Sequence, residues 1–173
     1  MNTKNMLNLL GFALLGLLIA VPLSAQGQQA KSELNIGTGT ISITYGQPAL
    51  GGQDRVAEQK VGDFWRMGKN QATVIVTPVD LSFGSVKVPK GSYSLFLLRE
   101  TPEKYMLVFN SQTGQWGTQH DSSKDLFNVP LQLEKITNSV ELFTIDLKKT
   151  AGGGQLVLTW GTSELLTDFQ FAQ

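Results

Sequence analysis

The chain is 173 residues long, carries 14 basic and 14 acidic side chains for a formal charge of zero, and contains no Cys. Charge balance excludes a strongly basic nucleic-acid binder and an acidic tail protein. The missing Cys excludes disulfides, thiolate zinc sites and thiol catalysis, and a single His leaves little room for histidine chemistry.

The first segment reads as an address. Met1 to Asn8 carries one charge, Lys4, and Gly11 to Leu23 is an uninterrupted apolar run of 13 residues. A membrane span needs about 20 apolar residues, so the run is too short for one. A basic start, a short apolar core and the small-residue exit Ser24-Ala25 define a secretory signal, with cleavage placed after Ala25. No Cys follows the run, which argues against a lipid-anchored form. The mature chain, residues 26–173, has 148 residues and a net charge of −1. That length buries a sufficient core without staples. An exported chain without Cys fits a bacterial envelope, periplasmic or extracellular, better than a disulfide-rich animal setting.

Residues 26–35 read as a flexible leader. Strand alternation then recurs along the chain. Ile41, Ile43 and Tyr45 share one face of Thr40–Tyr45, and Ala72, Val74 and Val76 lie together in the next run. Asp63 to Met67 is the best short helical candidate, with Asp63 as its cap and Gly68 as its stop. Asp80–Phe83 and Val86–Val88 are short strands divided by Gly84. Tyr93–Leu98 is apolar on both faces and suits a central strand; Tyr105–Phe109 is similar. Phe127, Val129, Leu131 and Leu133 line one face of another strand, with Pro130 marking an edge or a bulge. Phe143, Ile145 and Leu147 alternate in Val140–Leu147, Leu156 to Trp160 forms a further strand, and Leu165–Phe171 a last one. Pro89-Lys90-Gly91, Ser111 to Gly114 and Gly152-Gly153-Gly154 supply turn chemistry between them. This pattern predicts an all-β antiparallel β-sandwich of about eight or nine strands over residues 36–173.

Several landmarks occur in a fixed order: Trp65-Arg66-Met67-Gly68-Lys69-Asn70, Pro89-Lys90-Gly91-Ser92-Tyr93-Ser94-Leu95, Phe109-Asn110, Trp116-Gly117, Asp125 and Trp160. In this the chain resembles the DUF2911 family over about residues 36–162. The resemblance implies an exported bacterial protein and no assigned activity. Four positions depart from the family pattern: Gln53 and Asn128 each stand where an Arg is usual, Gln71 where a Glu is usual, and His120 where a Tyr is usual. Three of those changes remove a charge.

Candidate chemistry gathers at six residues: Trp65, Arg66, Asn70, Trp116, His120 and Asp125. Arg66 offers a planar donor fork, Asn70 a donor and an acceptor, and Trp65 a stacking face; together they suit a small anion or a sugar. The competing structural reading, which we prefer, makes Trp65 a core anchor, pairs Arg66 with a carboxylate such as Asp125, and gives Asn70 a turn. His120-Asp121 with Asp125 suits a divalent cation, but a solvated loop over Gly117–Lys124 is the simpler account. Trp65, Trp116, Tyr93 and Tyr105 either line a sugar-stacking face or fill the core, the commoner role. Trp65, Trp116 and Trp160 read as large anchors. No Gly-x-Ser-x-Gly elbow occurs.

The expectation is therefore an exported binding or structural module, monomeric or weakly associating, with no catalytic residue, metal or cofactor assigned. Its partner is a small molecule, a glycan or an envelope protein; nucleic acid and a membrane span after signal cleavage are not expected. The alternative is a carboxylate-dependent hydrolase in which Arg66 orients the substrate.

Overall fold

The computed structural model describes residues 29–171; the signal segment expected over residues 1–25 lies outside the described residues. The strands in chain order are β1 (Gln29–Asn35), β2 (Thr40–Gly46), β3 (Phe64–Trp65), β4 (Thr73–Thr77) and β5 (Leu81–Phe83), then β6 (Val86–Val88), β7 (Gly91–Arg99), β8 (Tyr105–Asn110), β9 (Asp125–Lys149) and β10 (Gly153–Phe171). A single helical turn, α1 (Arg55–Glu58), stands between β2 and β3.

The strands form one antiparallel sheet in the order β1-β2-β4-β7-β8-β9-β10-β5-β6, with β3 on the free side of β7. The two long strands carry the sheet from one half to the other. β9 pairs with β8 through Leu131 and with β10 from Gln132 onward. Folding along these strands brings the halves face to face over one core. Ile41, Leu95 and Phe109 from the first half share a buried cluster with Phe143, Leu158 and Phe169 from the second. The result is a sandwich made by one folded sheet rather than a closed barrel, whose end strands are β1 and β6.

Most alternating runs become strands as expected, and Ile41, Ile43 and Tyr45 are all buried. In β4, however, the core receives Thr73, Ile75 and Thr77, while Val74 and Val76 turn outward. Ala72 joins Phe96, Met106 and Val108 in a small cluster on the outer face.

Four expectations are corrected. The flexible leader is largely strand β1, paired with β2 from Gln29–Gly46 to Asn35–Thr40; its outward Lys31 and Glu33 mask an inward row of Ala30, Ser32 and Leu34. Phe127–Leu133 and Val140–Leu147 are one 25-residue strand. Leu156–Trp160 and Leu165–Phe171 are also one strand, bent where Gly161 takes φ 57° and the register with β9 shifts. Asp63–Met67 is not helical: Phe64 and Trp65 pair with Leu98 and Leu97 instead. The helical turn lies earlier, where the Asp54 carboxylate accepts from the amides of Val56 and Ala57. Pro130 is tolerated because it faces out beside β8, beyond the last β9–β10 pair at Gln132–Leu166.

Candidate functional site

The Trp65–Asn70 segment is built by close backbone approach. Trp65 ends β3, and the chain then turns through Met67 at φ 52° and Asn70 at φ 66°. The buried Thr73 hydroxyl donates to Met67 O at 2.6 Å and fixes this turn. The turn crosses the end of β2 at Gly46, where a Cβ on Gly68 would strike Gly46 O and a Cβ on Gly46 would strike Lys69 O. Asn70 contributes through its backbone: it adopts a left-handed conformation that Asn tolerates, and its carbonyl accepts from Gly117 N at 2.9 Å.

This geometry gives each part of the Trp-Arg-x-Gly-x-Asn segment a task. Trp65 stacks on Trp160, with ring centroids 5.4 Å apart and planes 10° from parallel, and meets Phe143 edge-on at 4.9 Å. Arg66 lays its aliphatic stem over Gly117, whose missing Cβ leaves the room. Its Nε donates to Gly68 O at 3.3 Å. The expected pairing of Arg66 with Asp125 does not occur, because Asp125 is already engaged: its carboxylate accepts from Asn110 Nδ2 at 2.7 Å and contacts His120 Nε2 at 2.9 and 3.1 Å.

His120 is the tip of a loop that folds down onto the outer face of the sheet. Its ring lies between Phe64 and Phe96, at centroid distances of 4.2 and 4.4 Å. Asn110 secures the loop from beneath by donating to Asp121 O and Asp125. The loop is solvated along most of its length, as expected, and is anchored at His120. Asp121 stands apart from His120 and Asp125 and caps the turn Ser122–Lys124. Hydrogen bonds from the Ser123 hydroxyl and amide hold its carboxyl below the usual carboxylate range. Among the described residues no group of three or more His, Asp or Glu side chains is placed to hold a metal ion.

Trp65, Arg66 and His120 converge on a cleft of about 470 Å³. Pro48, Phe96 and Trp160 extend its apolar wall, and Gly117 and Thr118 form one rim. Two further cations, Arg55 from α1 and Lys69 from the turn, face the same space, and no carboxylate lines it among the described residues. A smaller hollow of about 300 Å³ adjoins along Arg55, Phe64 and Trp65, and it does carry acids, Glu58 and Asp63.

The other candidates fall outside the cleft. Asn70 and Asp125 act behind it. Trp116 is 49% exposed and anchors nothing in the core, contrary to expectation. Tyr93 and Tyr105 are core residues, with hydroxyls donating to Pro89 O and Val56 O, so they provide no stacking face. The Tyr105 bond also seats α1, which Gln59 reinforces by donating to Leu97 O and Asp63 O. Of the four departures from the family pattern, His120 lines the cleft and Gln53 accepts from Arg55 at 2.8 Å beside it. Gln71 and Asn128 lie elsewhere: Gln71 bonds Gln29, and Asn128 pairs across from Val108.

Arg55 and Lys69 were not among the sequence candidates. Lys69 occupies a variable position of the signature, and its proximity to Arg66 in sequence was the available signal. Arg55 sits in the single turn capped by Asp54, and only the fold brings it beside Phe64 and Trp65.

The family model for a protein of unknown function, DUF2911, matches residues 27–169, and the chain belongs to that family. The match takes in the whole of β1. No curated protein and no solved structure matches the chain.

Proposed function

We propose that this chain is an exported, non-enzymatic binding module of the bacterial envelope that holds a small ligand in the Trp65 cleft. Export is supported by the sequence of residues 1–25, with its single Lys, 13-residue apolar core and small-residue exit. The observation that carries the binding reading is the cleft itself. Its size lies in the range of small-molecule sites, and it combines an aromatic wall with a few convergent polar groups. The wall is rigid, because Trp65 is held by Trp160 and Phe143.

A thermal-shift screen of the purified chain against sugars, small anions, metals and peptides tests this reading. A stabilising ligand is expected among the sugars or anions, with the shift lost in Trp65→Ala. No shift from any class, or equal shifts in wild type and Trp65→Ala, overturns it.

Carboxylate-dependent hydrolysis is the second reading, favoured by Glu58 and Asp63 in the adjoining hollow. It requires those acids to reach a substrate oriented by Arg66. Turnover of a glycoside or ester that disappears in both Glu58→Gln and Asp63→Asn selects it over simple binding.

A further inference from the structure

Building on the cleft as a ligand site, we infer that its ligand joins a phosphate-type dianion to a flat or sugar-like ring. The charge of the lining is the first argument. Arg55, Arg66 and Lys69 face one space with no carboxylate among its described lining residues. The salt bridges of the described residues engage Lys31, Lys104, His120 and Lys124, and none of these three cations. Like charges gathered in a concave, partly apolar site repel one another and focus the field on whatever anion enters.

The donor geometry is the second argument. Arg66 spends Nε on Gly68 O, and its stem is fixed over Gly117. Its two terminal nitrogens have no partner among the described residues and can grip paired oxygens of one ligand group. Arg55 uses one terminal nitrogen on Gln53 and keeps its other donors. Lys69 lines the same space and adds a point charge. A lone carboxylate has two oxygens and is satisfied by one arginine fork. Three cations from two chain segments match a group with three acceptor oxygens and a charge near −2, as in a phosphate monoester.

The wall is the third argument. Phe64 is 39% exposed and lines the cleft beside Trp65, so apolar surface and cations share one space. An inorganic ion would leave that surface wet. A ring attached to the phosphate covers it.

Isothermal titration of the full chain with glucose 6-phosphate, ribose 5-phosphate and phenyl phosphate tests the inference. Glucose, ribose, phenol, glucuronate and inorganic phosphate serve as matched probes. At least one phosphate ester is expected to bind more than about tenfold tighter than its parent and than inorganic phosphate. Arg66→Gln and Lys69→Gln are each expected to weaken it about 10- to 100-fold, the cost of a lost charged hydrogen bond. Affinity should also fall steeply with added salt. Using two variants, each with its unliganded melting temperature checked, separates ligand loss from misfolding.

Equal binding of ester and parent, or unchanged ester binding in both variants, overturns the dianion and leaves the cleft reading intact if Trp65→Ala abolishes binding. Equal binding of inorganic phosphate overturns the ring. Failure of all three esters overturns the inference. If the wider screen also yields no ligand, the cleft reading falls with it.

Discussion

Trp65 at the end of β3 and Trp160 in β10 stack with their planes 10° from parallel, although 95 positions separate them in the chain. The stack ties the cleft wall to β10 in the second half of the sheet. Trp160 is buried and Trp65 is half-buried, so the pair passes from core to cleft. Its indole nitrogen at Trp160 donates to Glu141 O at 3.2 Å, which fixes one ring before the other packs on it.

Trp65→Ala should therefore lower stability by about 2 to 4 kcal/mol through lost burial and the gap left against Phe143. A double-mutant cycle with Trp160→Ala should give a coupling of about 0.5 to 1.5 kcal/mol. Urea denaturation of the four proteins measures both.

The turn after Trp65 depends on clearance and on one hydroxyl. Gly68→Ala places a methyl group against Gly46 O and should cost more than about 2 kcal/mol. Thr73→Val leaves Met67 O without its buried partner and should cost about 1 to 3 kcal/mol. Chemical denaturation gives the stabilities; weaker ligand binding should accompany both, since the same turn carries Arg66 and Lys69.

Asp125 anchors the His120 loop from the sheet. Asp125→Ala removes the acceptor shared by Asn110 and His120. Amide hydrogen exchange should accelerate across residues 111–124 while the paired amides of β7 stay protected. Unchanged exchange in the loop would show that Asn110 and the two ring contacts of His120 hold it without the carboxylate.

Alkaline pH should weaken the fold. Burial raises the phenol pKa of Tyr45, Tyr93 and Tyr105 above the ordinary tyrosine value. The folded chain then holds these protons more tightly than the unfolded chain. The associated stability is present below about pH 10 and is lost as pH rises through the raised values. Urea midpoints between about pH 8 and 11 should fall at the high end, and Tyr105→Phe should flatten the fall.

Local alternation was legible wherever one face is apolar and the other polar, as at Ile41, Ile43 and Tyr45. It failed where strands run past the core. Glu134 to Ser139 looks like a loop because, Ile136 apart, its side chains are polar and mostly exposed, yet it runs on as strand β9 through the register shift, with Glu134 and Lys135 paired to Glu164 and Ser163. β1 was hidden for a related reason, since Lys31 and Glu33 pair with each other on its outer face. The candidate site was half legible. Trp65, Arg66 and His120 belong to the cleft, but residue type alone could not show that Asp125 is claimed by His120 and Asn110 rather than by Arg66. Nor could it place Trp116, whose ring points away from the core.

The length of β10 also sets an order of events. Its residues pair with β9 along one arm and with β5 near the C-terminal end, and Trp160 completes the wall behind Trp65. A chain emerging from its N-terminus holds a core only partly covered, by Phe143, Ile145 and Leu147 of β9, until this last strand adds Leu156, Leu158 and Trp160. Such non-local pairing delays folding. The module thus stays open until its synthesis is almost finished, and a chain truncated before Trp160 would have a half-built sheet and no cleft.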